Sequence, residues 1–572
     1  MRKPGASFAS LIVAAVLSAC QGQSTVEGQP PPTNAYLEIL HRAEAKSREG
    51  QWPEATGLWA RVVQMNPVRG DSWQQLATAR YGAGEYREAI PAYEKVLALG
   101  LDRGYASETA YDVARCYAAL GEKEQALRWL TKAFDMGYRY LQKARSDTDF
   151  QSLHADPRFQ ELTALADTSG MTRDEGWRYD LRLLAREVKR RGYAPFHKVS
   201  EADFDAAVEE LYDSIPRLSD VQISIGMMKL MAMVGDGHTM LYGFYERPEL
   251  LQNVPVDFYW FEEGLFIVAA DVRYQDLLGA RVLRFGDHSV EEVLQALDPL
   301  ISRDNDMATK VMGPMRMRNL PLLHGLGLLP DPEKVSLSVA DRAGKVRTVT
   351  LPAEPGIPSR RLWEGIPDDW RILHRTLPEP LPLYLRNIYA PYWFEYLSES
   401  RTVYFQFNRV KNDPKEPLAD FSSRLFKFID EHDVDRLVID LRWNNGGDTT
   451  LEPPLIHGLI RSAKINRPGK LFVIIGRRTF SAAQNGATLI EHNTDAVFVG
   501  EPTGSSPNFI GEEASFELPY SKLAANVSDL YHQSAWPFDH RTWIAPLIYV
   551  PPTFAAYRAN RDPALEAVMA YR

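Results

Sequence analysis

The chain has 572 residues, of which 45% are hydrophobic and 24% charged, and its formal net charge is −10. This composition is ordinary for globular protein, and the length predicts about three or four domains. The mild negative charge, without a basic stripe, argues against a nucleic-acid-binding protein. Two cysteines, Cys20 and Cys116, are too few for a disulfide framework or a cysteine-rich metal site.

The N-terminus has the pattern of a bacterial export signal. Residues 1–20 contain two early positive charges, a short apolar run and the ending Leu17-Ser18-Ala19-Cys20. This ending resembles the lipobox of bacterial lipoproteins, in which the chain is cut before the cysteine and the thiol carries a diacylglycerol. The resemblance implies a lipid anchor at Cys20 and a location on the periplasmic face of the bacterial outer membrane. An ordinary secretory signal with a chance cysteine is the alternative interpretation.

A polar, proline-rich linker is predicted over residues 21–34, and a helical repeat over residues 35–168. The repeat has an offset of 34 residues, so that Gly50 aligns with Gly84, and a third copy aligns Gly121 with the same point. Small residues where helices cross and a glycine at each turn resemble a tetratricopeptide array. Such an array either binds a peptide or protein partner on its concave face or serves only as a spacer, and the sequence leaves both open.

The next segments differ in their periodicity. Residues 171–245 are predicted to form a helical cap domain, because apolar residues recur at three- and four-residue spacing until the stretch GDGHT. Residues 252–352 contain two hairpin patterns and a strand–turn–helix pattern, which together resemble a degenerate PDZ-like, β-rich module. A proline-rich connector is predicted over residues 353–400.

Short apolar strands alternate with amphipathic helices over residues 401–572. Near-continuous apolar strands between helices indicate a mostly parallel sheet covered on both faces. Two irregular loops, NNGGD and RRTFS, follow strands of this sheet. Because ligands of such sheets bind at the carboxyl ends of the strands, we expect the two loops to meet there. The whole chain is therefore predicted to be a multidomain α+β protein.

Ser481 lies between the strand KLFVIIG and a helix, where it is either an N-cap or a nucleophile. A serine nucleophile needs a general base, and it needs donors for the oxyanion of the tetrahedral intermediate. The candidate donors are the backbone N–H groups of Gly446, Gly447 and Ala482, because glycine permits a close approach to the substrate. The histidines are scattered and no HExxH pattern occurs, so we expect neither a metal nor a cofactor.

Several motifs in residues 171–572 resemble the tail-specific (C-terminal-processing) protease and tricorn-core family of serine peptidases. RLVIDLRWNNGGD resembles the glycine segment of that family, GRRTFSAAQN its nucleophile segment, and DAVFVGEPTGSSPN the segment that follows. The resemblance implies a crotonase- or ClpP-like α/β core with helical and PDZ-like attachments. It also implies that Ser481 is the nucleophile and that the substrate is a peptide or a protein.

The general base is inferred from a departure from the family pattern. The tail-specific branch uses a lysine after Val499-Gly500-Glu501, but the sequence there is PTGSS, and Lys522 does not match the motif. The tricorn-like branch uses an upstream histidine, and GDGHT resembles the segment that carries it, which implies His238 as the base. A neutral imidazole suits this work near neutral pH.

The residue that orients the base is left open among four acids. The candidates are Asp236, Glu501, Glu513 and Asp539, and only Asp539 has roughly the spacing of the tricorn-like glutamate.

Three further residues, Asp440, Arg442 and Thr503, are predicted to support the two loops. For Asp440 and Arg442 a purely structural ion pair is an equally good interpretation. The sequence thus predicts a lipid-anchored periplasmic serine endopeptidase. The alternative is a non-catalytic, peptide-binding scaffold lipoprotein that uses the repeats and a degenerate peptidase domain.

Overall fold

The structure is a computed structural model that describes residues 33–101, 106–138, 140–163, 167–242, 247, 249–356 and 369–572. The predicted signal over 1–20, with the lipidation site Cys20, and most of the predicted linker lie outside the described residues. The chain divides into two compact units between Ala133 and Phe134. The predicted end of the repeats at residue 168 therefore falls inside the second unit.

The N-terminal part is an array of helices in consecutive pairs. Their bounds are α1 Thr33–Arg48, α2 Trp52–Met65, α3 Gly70–Gly82, α4 Tyr86–Leu99, α5 Ala106–Ala119 and α6 Lys123–Asp135. Fully buried alanines, among them Ala55, Ala77 and Ala89, allow neighbouring helices to approach closely. Gly50 and Gly84 close the turns of the first two pairs with φ of 68° and 78°, a conformation that glycine adopts without strain. The structure thus has the predicted N-terminal helical repeat array.

The second unit begins with further helices. They are α7 Leu141–Ser146, α8 Pro157–Leu162, α9 Arg173–Arg191, α10 Glu201–Ser214 and α11 Asp220–Met233. Thr172 caps α9 and Ser219 caps α11, each in a capping box that satisfies two backbone N–H groups. These caps fix where the two helices begin. The GDGHT stretch forms the loop between α11 and the short strand β1, Met240–Leu241.

A seven-stranded antiparallel sheet dominates the next segment. The strands of this region are β2 Gln252–Asn253, β3 Val256–Phe261, β4 Gly264–Asp271, β5 Arg281–Phe285, β6 His288–Ser289, β7 Lys334–Ala340, β8 Val346–Pro352, β9 Glu354–Pro355 and β10 Trp370–Ile372. The sheet order is β10-β4-β5-β7-β8, with β3 paired to β4 and β6 to β5, while β2 and β9 pair separately. Three helices lie between β6 and β7 in the chain, namely α12 Val290–Leu297, α13 Met307–Arg316 and α14 Leu320–Gly325.

The last segment contains a six-stranded sheet with helices on both faces. Its strands and the short strands beside it are β11 Tyr392–Leu397, β12 Thr402–Phe407, β13 Arg436–Asp440, β14 Leu471–Ile475, β15 Val497–Gly500, β16 Asn508–Gly511, β17 Ala514–Glu517, β18 Ala524–Val527, β19 Leu530–Gln533 and β20 Ile548–Tyr549. Its helices are α15 Leu383–Arg386, α16 Leu418–Glu431, α17 Pro453–Arg461, α18 Ala482–Asn493, α19 Phe554–Arg558 and α20 Pro563–Ala570.

The order of this core sheet is β11-β12-β13-β14-β15-β20, and only the β11 edge strand is antiparallel. Successive residues of each strand face opposite layers. Val438 packs in the cluster of α20, whereas its neighbours Leu437 and Ile439 pack in the cluster of α16, α17 and α18. Both faces are therefore buried, which explains why the strands read as continuous apolar runs. Two ribbons lie outside this sheet, β16 with β19 and β17 with β18 and β1.

The predicted connector over residues 353–400 contains strands of both sheets. Among its described residues, β10 pairs with β4, and β11 pairs with β12 as the edge of the core sheet. These strands are short and flanked by prolines, so the sequence shows too few alternating residues for a strand period to be recognised. None of the helices in the described ranges is both long and apolar enough to cross a membrane.

A buried ion pair joins the C-terminal helix to the core sheet. Arg442 Nη1 and Nη2 donate to Asp562 at 3.0 and 2.9 Å, and Arg442 Nε donates to Asp440 at 3.0 Å. Asp562 also caps α20 by accepting from the Leu565 N–H at 3.2 Å. Burial raises the pKa of Asp440, and the Arg442 charge acts against that shift.

Replacing Asp562 by alanine leaves the Arg442 charge buried with only one partner and removes the helix cap. We expect Asp562→Ala to lose about 3 kcal/mol of unfolding free energy, measured by guanidinium denaturation. Glu566→Gln is the matched control, because Glu566 pairs with Arg561 at the surface. Exposed pairs of this kind contribute less than about 1 kcal/mol. Equal losses in the two variants would contradict the role of the buried pair.

Candidate active site

Ser481 lies on a tight turn between β14 and α18. Its backbone has φ 54° and ψ −127°, a region that non-glycine residues rarely adopt and that costs on the order of 1–3 kcal/mol. The Ser481 side chain makes no capping hydrogen bond to α18. It is therefore not the N-cap that a serine at a helix start usually is. Backbone strain of this kind is concentrated at functional sites and at strand-to-helix turns that expose a nucleophile.

The Ser481 hydroxyl is close to a histidine from a distant part of the chain. Ser481 Oγ lies 3.1 Å from His238 Nε2, although 243 positions separate the two residues. The loop after α11 positions His238, because Asp236 Oδ1 accepts from the N–H groups of His238 at 2.9 Å and Thr239 at 2.6 Å. Ser528 Oγ donates to the same oxygen at 2.6 Å. The structure thus brings together the two residues predicted as nucleophile and base.

His238 is buried, with 7% of its surface exposed. Burial lowers the pKa of its imidazole to about 4, while the charges of Asp236 and Glu512 act to raise it and His532 acts to lower it. The ring is therefore neutral at neutral pH, and Nε2 can accept the Ser481 proton. In that tautomer Nδ1 carries the hydrogen, and Nδ1 has no hydrogen-bond partner among the described residues.

Of the three predicted oxyanion donors, two have free N–H groups. Within the described residues, the N–H groups of Gly447 and Ala482 donate to no protein acceptor. The Gly446 N–H donates to Asn444 Oδ1 at 3.0 Å, so the prediction that it serves the oxyanion is wrong. Gly446 instead permits a close approach of the two loops. At its φ of 104°, a Cβ atom would lie 2.7 Å from Ser481 Cβ.

None of the four predicted orienting acids bonds to His238 Nδ1. Asp236 holds its own loop, Glu501 forms a buried pair with Arg477 at 2.7 and 2.9 Å, Asp539 pairs with Arg541 at 2.8 Å, and Glu513 is exposed. The prediction of an orienting acid is therefore wrong for the described residues. Asp236, Glu501 and Asp539 are each held by other groups of the chain.

The predicted supporting residues lie beneath the loops. Arg442 is engaged by Asp440 and Asp562, so the structural ion-pair interpretation applies to Asp440 and Arg442. Thr503 Oγ1 donates to the Ser505 carbonyl oxygen at 3.0 Å and accepts from the Ile544 N–H at 2.9 Å. These bonds hold the GEPTGSS segment in place.

A cavity of about 260 Å³ lies at the same edge of the core sheet. Its lining includes Trp443 and Arg478, which follow β13 and β14, but neither Ser481 nor His238. The cavity therefore adjoins the Ser481–His238 pair without containing it. Within the described residues, no three His, Cys, Asp or Glu side chains converge in a way that could hold a metal ion.

Sequence reasoning missed four residues of this site. They are Phe480 and Phe509, whose rings lie against His238, His532, whose ring lies against Phe509, and Asp304. Phe480 directly precedes Ser481 in the chain and could have been noticed there. The other three lie in short or irregular segments, where no periodicity or motif marks them.

Asp304 joins the two loops that flank the site. Its Oδ1 accepts from the Gly237 N–H at 2.8 Å, and its other carboxylate oxygen accepts from Ser505 Oγ. Asp304 is partly buried, and this burial raises the pKa of its carboxyl to about 7. Asp304 thus ties the GDGHT loop, which carries His238, to the GEPTGSS segment.

Comparisons with known proteins give short or distant likenesses. A family model described as "Bacterial transcriptional activator domain" matches residues 33–109, within the helical repeat array. A chloroplastic protein of Arabidopsis thaliana is 34% identical over 86 residues, which is 15% of this chain. That match covers 26% of the relative, so the chain spans about a quarter of the length of this curated protein.

Three solved structures resemble a large part of the chain at low sequence identity. Mature CPAF complexed with lactacystin is 12% identical, with a TM-score of 0.48 over 69% of this chain and 97% of that chain. The photosystem II D1 C-terminal processing protease is 12% identical, with a TM-score of 0.33 over 67% and 94%. The tricorn protease is 12% identical, with a TM-score of 0.33 over 69% and 36%. Likenesses this distant assign no catalytic roles to residues of this chain.

Asp304 gives the fold a measurable pH dependence. Its native pKa of about 7 lies above the usual value near ~3.9, so it makes the native state less stable as pH rises from about 4 to 7. Asp304→Asn removes this effect. We expect its unfolding free energy, relative to the parent chain, to rise by on the order of 4 kcal/mol between pH 4 and pH 7.

The matched control is Asp306→Asn, because the Asp306 carboxyl is 84% exposed. Urea denaturation at several pH values measures both variants against the parent. A difference between Asp304→Asn and the parent that does not change with pH would show that Asp304 is ionised in the native state.

Proposed function

We propose that this chain is a serine-type peptidase in which Ser481 is the nucleophile and His238 the general base. One observation supports this most strongly. A serine in a strained, positive-φ turn has its hydroxyl 3.1 Å from the Nε2 atom of a buried histidine, and it does not cap the adjacent helix. A nucleophile within hydrogen-bond reach of a base is the arrangement that activates a serine.

The proposed reaction has two steps. Ser481 Oγ bonds to the substrate carbonyl carbon while its proton moves to His238 Nε2, and the N–H groups of Ala482 and Gly447 stabilise the oxyanion. The C–N bond then breaks, and the leaving amine takes the proton from Nε2. A water molecule repeats the sequence on the acyl-enzyme, with His238 again taking the proton, and releases the acid and Ser481.

The substrate class rests on the sequence motifs. The order GDGHT, NNGGD and GRRTFSAAQN supports membership of the tail-specific and tricorn-core family, and so a peptide substrate. The absence of lysine from PTGSS supports the histidine-dependent branch. In this proposal the β-rich segment over residues 252–352 is the PDZ-like module, and it limits access to the site together with helices α9–α11.

The remaining proposals concern location and partners. We propose that Cys20 carries the lipid anchor and that the protein faces the periplasm from the outer membrane, which rests on the sequence of residues 1–20 alone. We also propose that the helical repeat array binds a protein partner or recruits substrate, as stacked helical repeats commonly do.

The proposed roles predict which variants lose peptidase activity. Ser481→Ala and His238→Gln should each lower the hydrolysis of an unfolded polypeptide by at least about 1,000-fold, because each removes one member of the reacting pair. Both variants should keep the melting temperature of the parent chain within a few degrees. Hydrolysis is followed by mass spectrometry of the peptides released from a reduced, alkylated protein.

Two controls match these variants. His374 is also buried, and burial lowers its pKa to about 4 as well, but it contacts Tyr557 rather than Ser481. Ser422 is a buried serine whose hydroxyl donates within α16. His374→Gln and Ser422→Ala should remain active. Undiminished hydrolysis by Ser481→Ala would overturn the proposal, and an inactive parent chain would favour the scaffold alternative.

A further inference from the structure

The imidazole of His238 stacks with two aromatic rings. The Phe480 ring is 4.6 Å from it, centroid to centroid, with an angle of 20° between the planes. The Phe509 ring is 5.7 Å away with an angle of 10°. Both phenylalanine rings therefore lie close and nearly parallel to the imidazole of the base.

Phe509 is itself held in place by neighbouring residues. It lies on β16 directly opposite His532 on β19, and the two rings stack at 4.7 Å with an angle of 19°. His532 Nε2 lies 3.5 Å from Glu512 Oε1, and its Nδ1 lies 3.4 Å from Asn485 Nδ2. Asn485 belongs to α18, the helix that follows Ser481. The β16–β19 ribbon and the nucleophile helix thus fix Phe509 in place.

Phe480 is held by the backbone of two loops. Its N–H donates to the Asn444 carbonyl oxygen at 3.2 Å, which ties it to the glycine loop. Its ring packs on Gly237, where a Cβ atom would lie 2.8 Å from two ring carbons. Any other residue at position 237 would push the Phe480 ring away from its place beside His238.

A catalytic base must be held in one orientation, since a displacement of about 1 Å can cost on the order of 100-fold in rate. A histidine base is commonly oriented by an acceptor on its second ring nitrogen. Here His238 Nδ1 has no such partner among the described residues.

We propose that Phe480 and Phe509 are positioning residues, which orient the His238 imidazole by stacking against it in place of an orienting carboxylate. The inference rests on the proposed role of His238 as general base. Rings that stack on the imidazole resist any tilt that would end their parallel arrangement. The edge of the imidazole that carries Nε2 then stays directed at Ser481 Oγ. His532 supports Phe509 from behind without touching the base.

The stack also sets the pH range in which the base works. Burial is the main cause of the low pKa of His238, and the two phenylalanine rings stacked against the imidazole contribute to that burial. The charged or titratable groups around the base are Asp236 and Asp304 on the loops beside it and Glu512 and His532 on the ribbon. Opening one face to water should therefore bring the pKa of His238 back toward its usual value.

The test compares Phe509→Leu, which keeps the apolar bulk but loses the flat face, with Phe509→Tyr, which keeps the ring. The full-length chain is treated with a fluorophosphonate, and the rate constant of labelling is measured from pH 3.5 to pH 8. At pH 7 we expect Phe509→Leu to react about 10- to 100-fold more slowly than the parent, and Phe509→Tyr to stay within about threefold.

The fall in labelling rate at low pH, called the acid limb here, distinguishes a loss of positioning of His238 from a loss of folding stability. For the parent chain, labelling should fall to half near pH 4, where His238 becomes protonated. For Phe509→Leu the limb should move upward toward pH ~6.5, because a water-exposed imidazole is protonated at a higher pH. A variant that is only less stable would melt earlier but keep the limb of the parent.

Two results would overturn the inference while leaving the proposed function intact. One is a Phe509→Leu variant that labels within twofold of the parent with an unchanged acid limb. The other is a Phe509→Tyr variant that loses as much rate as Phe509→Leu, since the ring face would then be irrelevant. A parent chain that shows no labelling would instead contradict the proposed function itself.

A second variant tests the role of the Phe480 ring if Phe509→Leu does not fold. Gly237→Ala displaces the Phe480 ring through the close contact described above and should slow labelling about tenfold or more. Gly170→Ala is its control, because Gly170 has no atom within 4 Å of the added carbon and, like Gly237, does not have a positive φ. Equal labelling rates for Gly237→Ala and Gly170→Ala would count against stacking by Phe480.

Discussion

The fold holds Ser481 in a backbone conformation that serine avoids elsewhere, and the rest of the site follows from that constraint. At φ 54° the hydroxyl is turned away from the first free N–H groups of α18, so it cannot cap that helix. It points instead to His238 Nε2, and the Ala482 N–H is left without a protein acceptor. One strained residue thus leaves both a hydroxyl directed at a histidine and a backbone N–H without a protein acceptor, which are the groups that the proposed mechanism uses. Gly446 makes the turn possible, because its missing Cβ leaves room for Ser481.

Buried ion pairs fix the loops on which this turn depends. Arg442 binds Asp440 and Asp562 where the glycine loop leaves β13, and Arg477 binds Glu501 where the nucleophile turn leaves β14. Such pairs contribute little net stability, because desolvating both charges offsets most of their attraction. Their bidentate geometry nevertheless allows only one placement of each loop. Arg477 also donates to the Trp260 carbonyl oxygen at 2.6 Å, so a hydrogen bond links the antiparallel sheet to the segment that leads into Ser481.

The sequence was informative wherever a pattern had a period or a glycine with a steric reason. The parallel sheet, the helical repeats and the meeting of the two loops all follow from strand-length apolar runs, from repeat spacing and from the rule that strand ends share an edge. Ser481 and His238 were predicted from motifs, and the structure places them in contact.

The sequence was misleading where contacts are made by edges and ends of short elements. No sequence pattern predicts that β11 completes the core sheet, or that Asn444 Oδ1 accepts a hydrogen bond from the Gly446 N–H. Only Asp539 has roughly the expected spacing among the four candidate acids, but burial and arginine partners decide where a carboxylate points, and these depend on the folded chain. Phe509 is a single residue on a four-residue strand, so its place against the base became visible only in three dimensions.

The most direct test of the central claim is to find where a fluorophosphonate attaches to the chain. The full-length protein is reacted at pH 6, and the adduct is located by intact-mass measurement and peptide mapping. An activated Ser481 predicts one adduct per chain, on the peptide that contains GRRTFSAAQN. No adduct, or adducts spread over other serines such as Ser505 and Ser528, would contradict the claim that His238 activates Ser481.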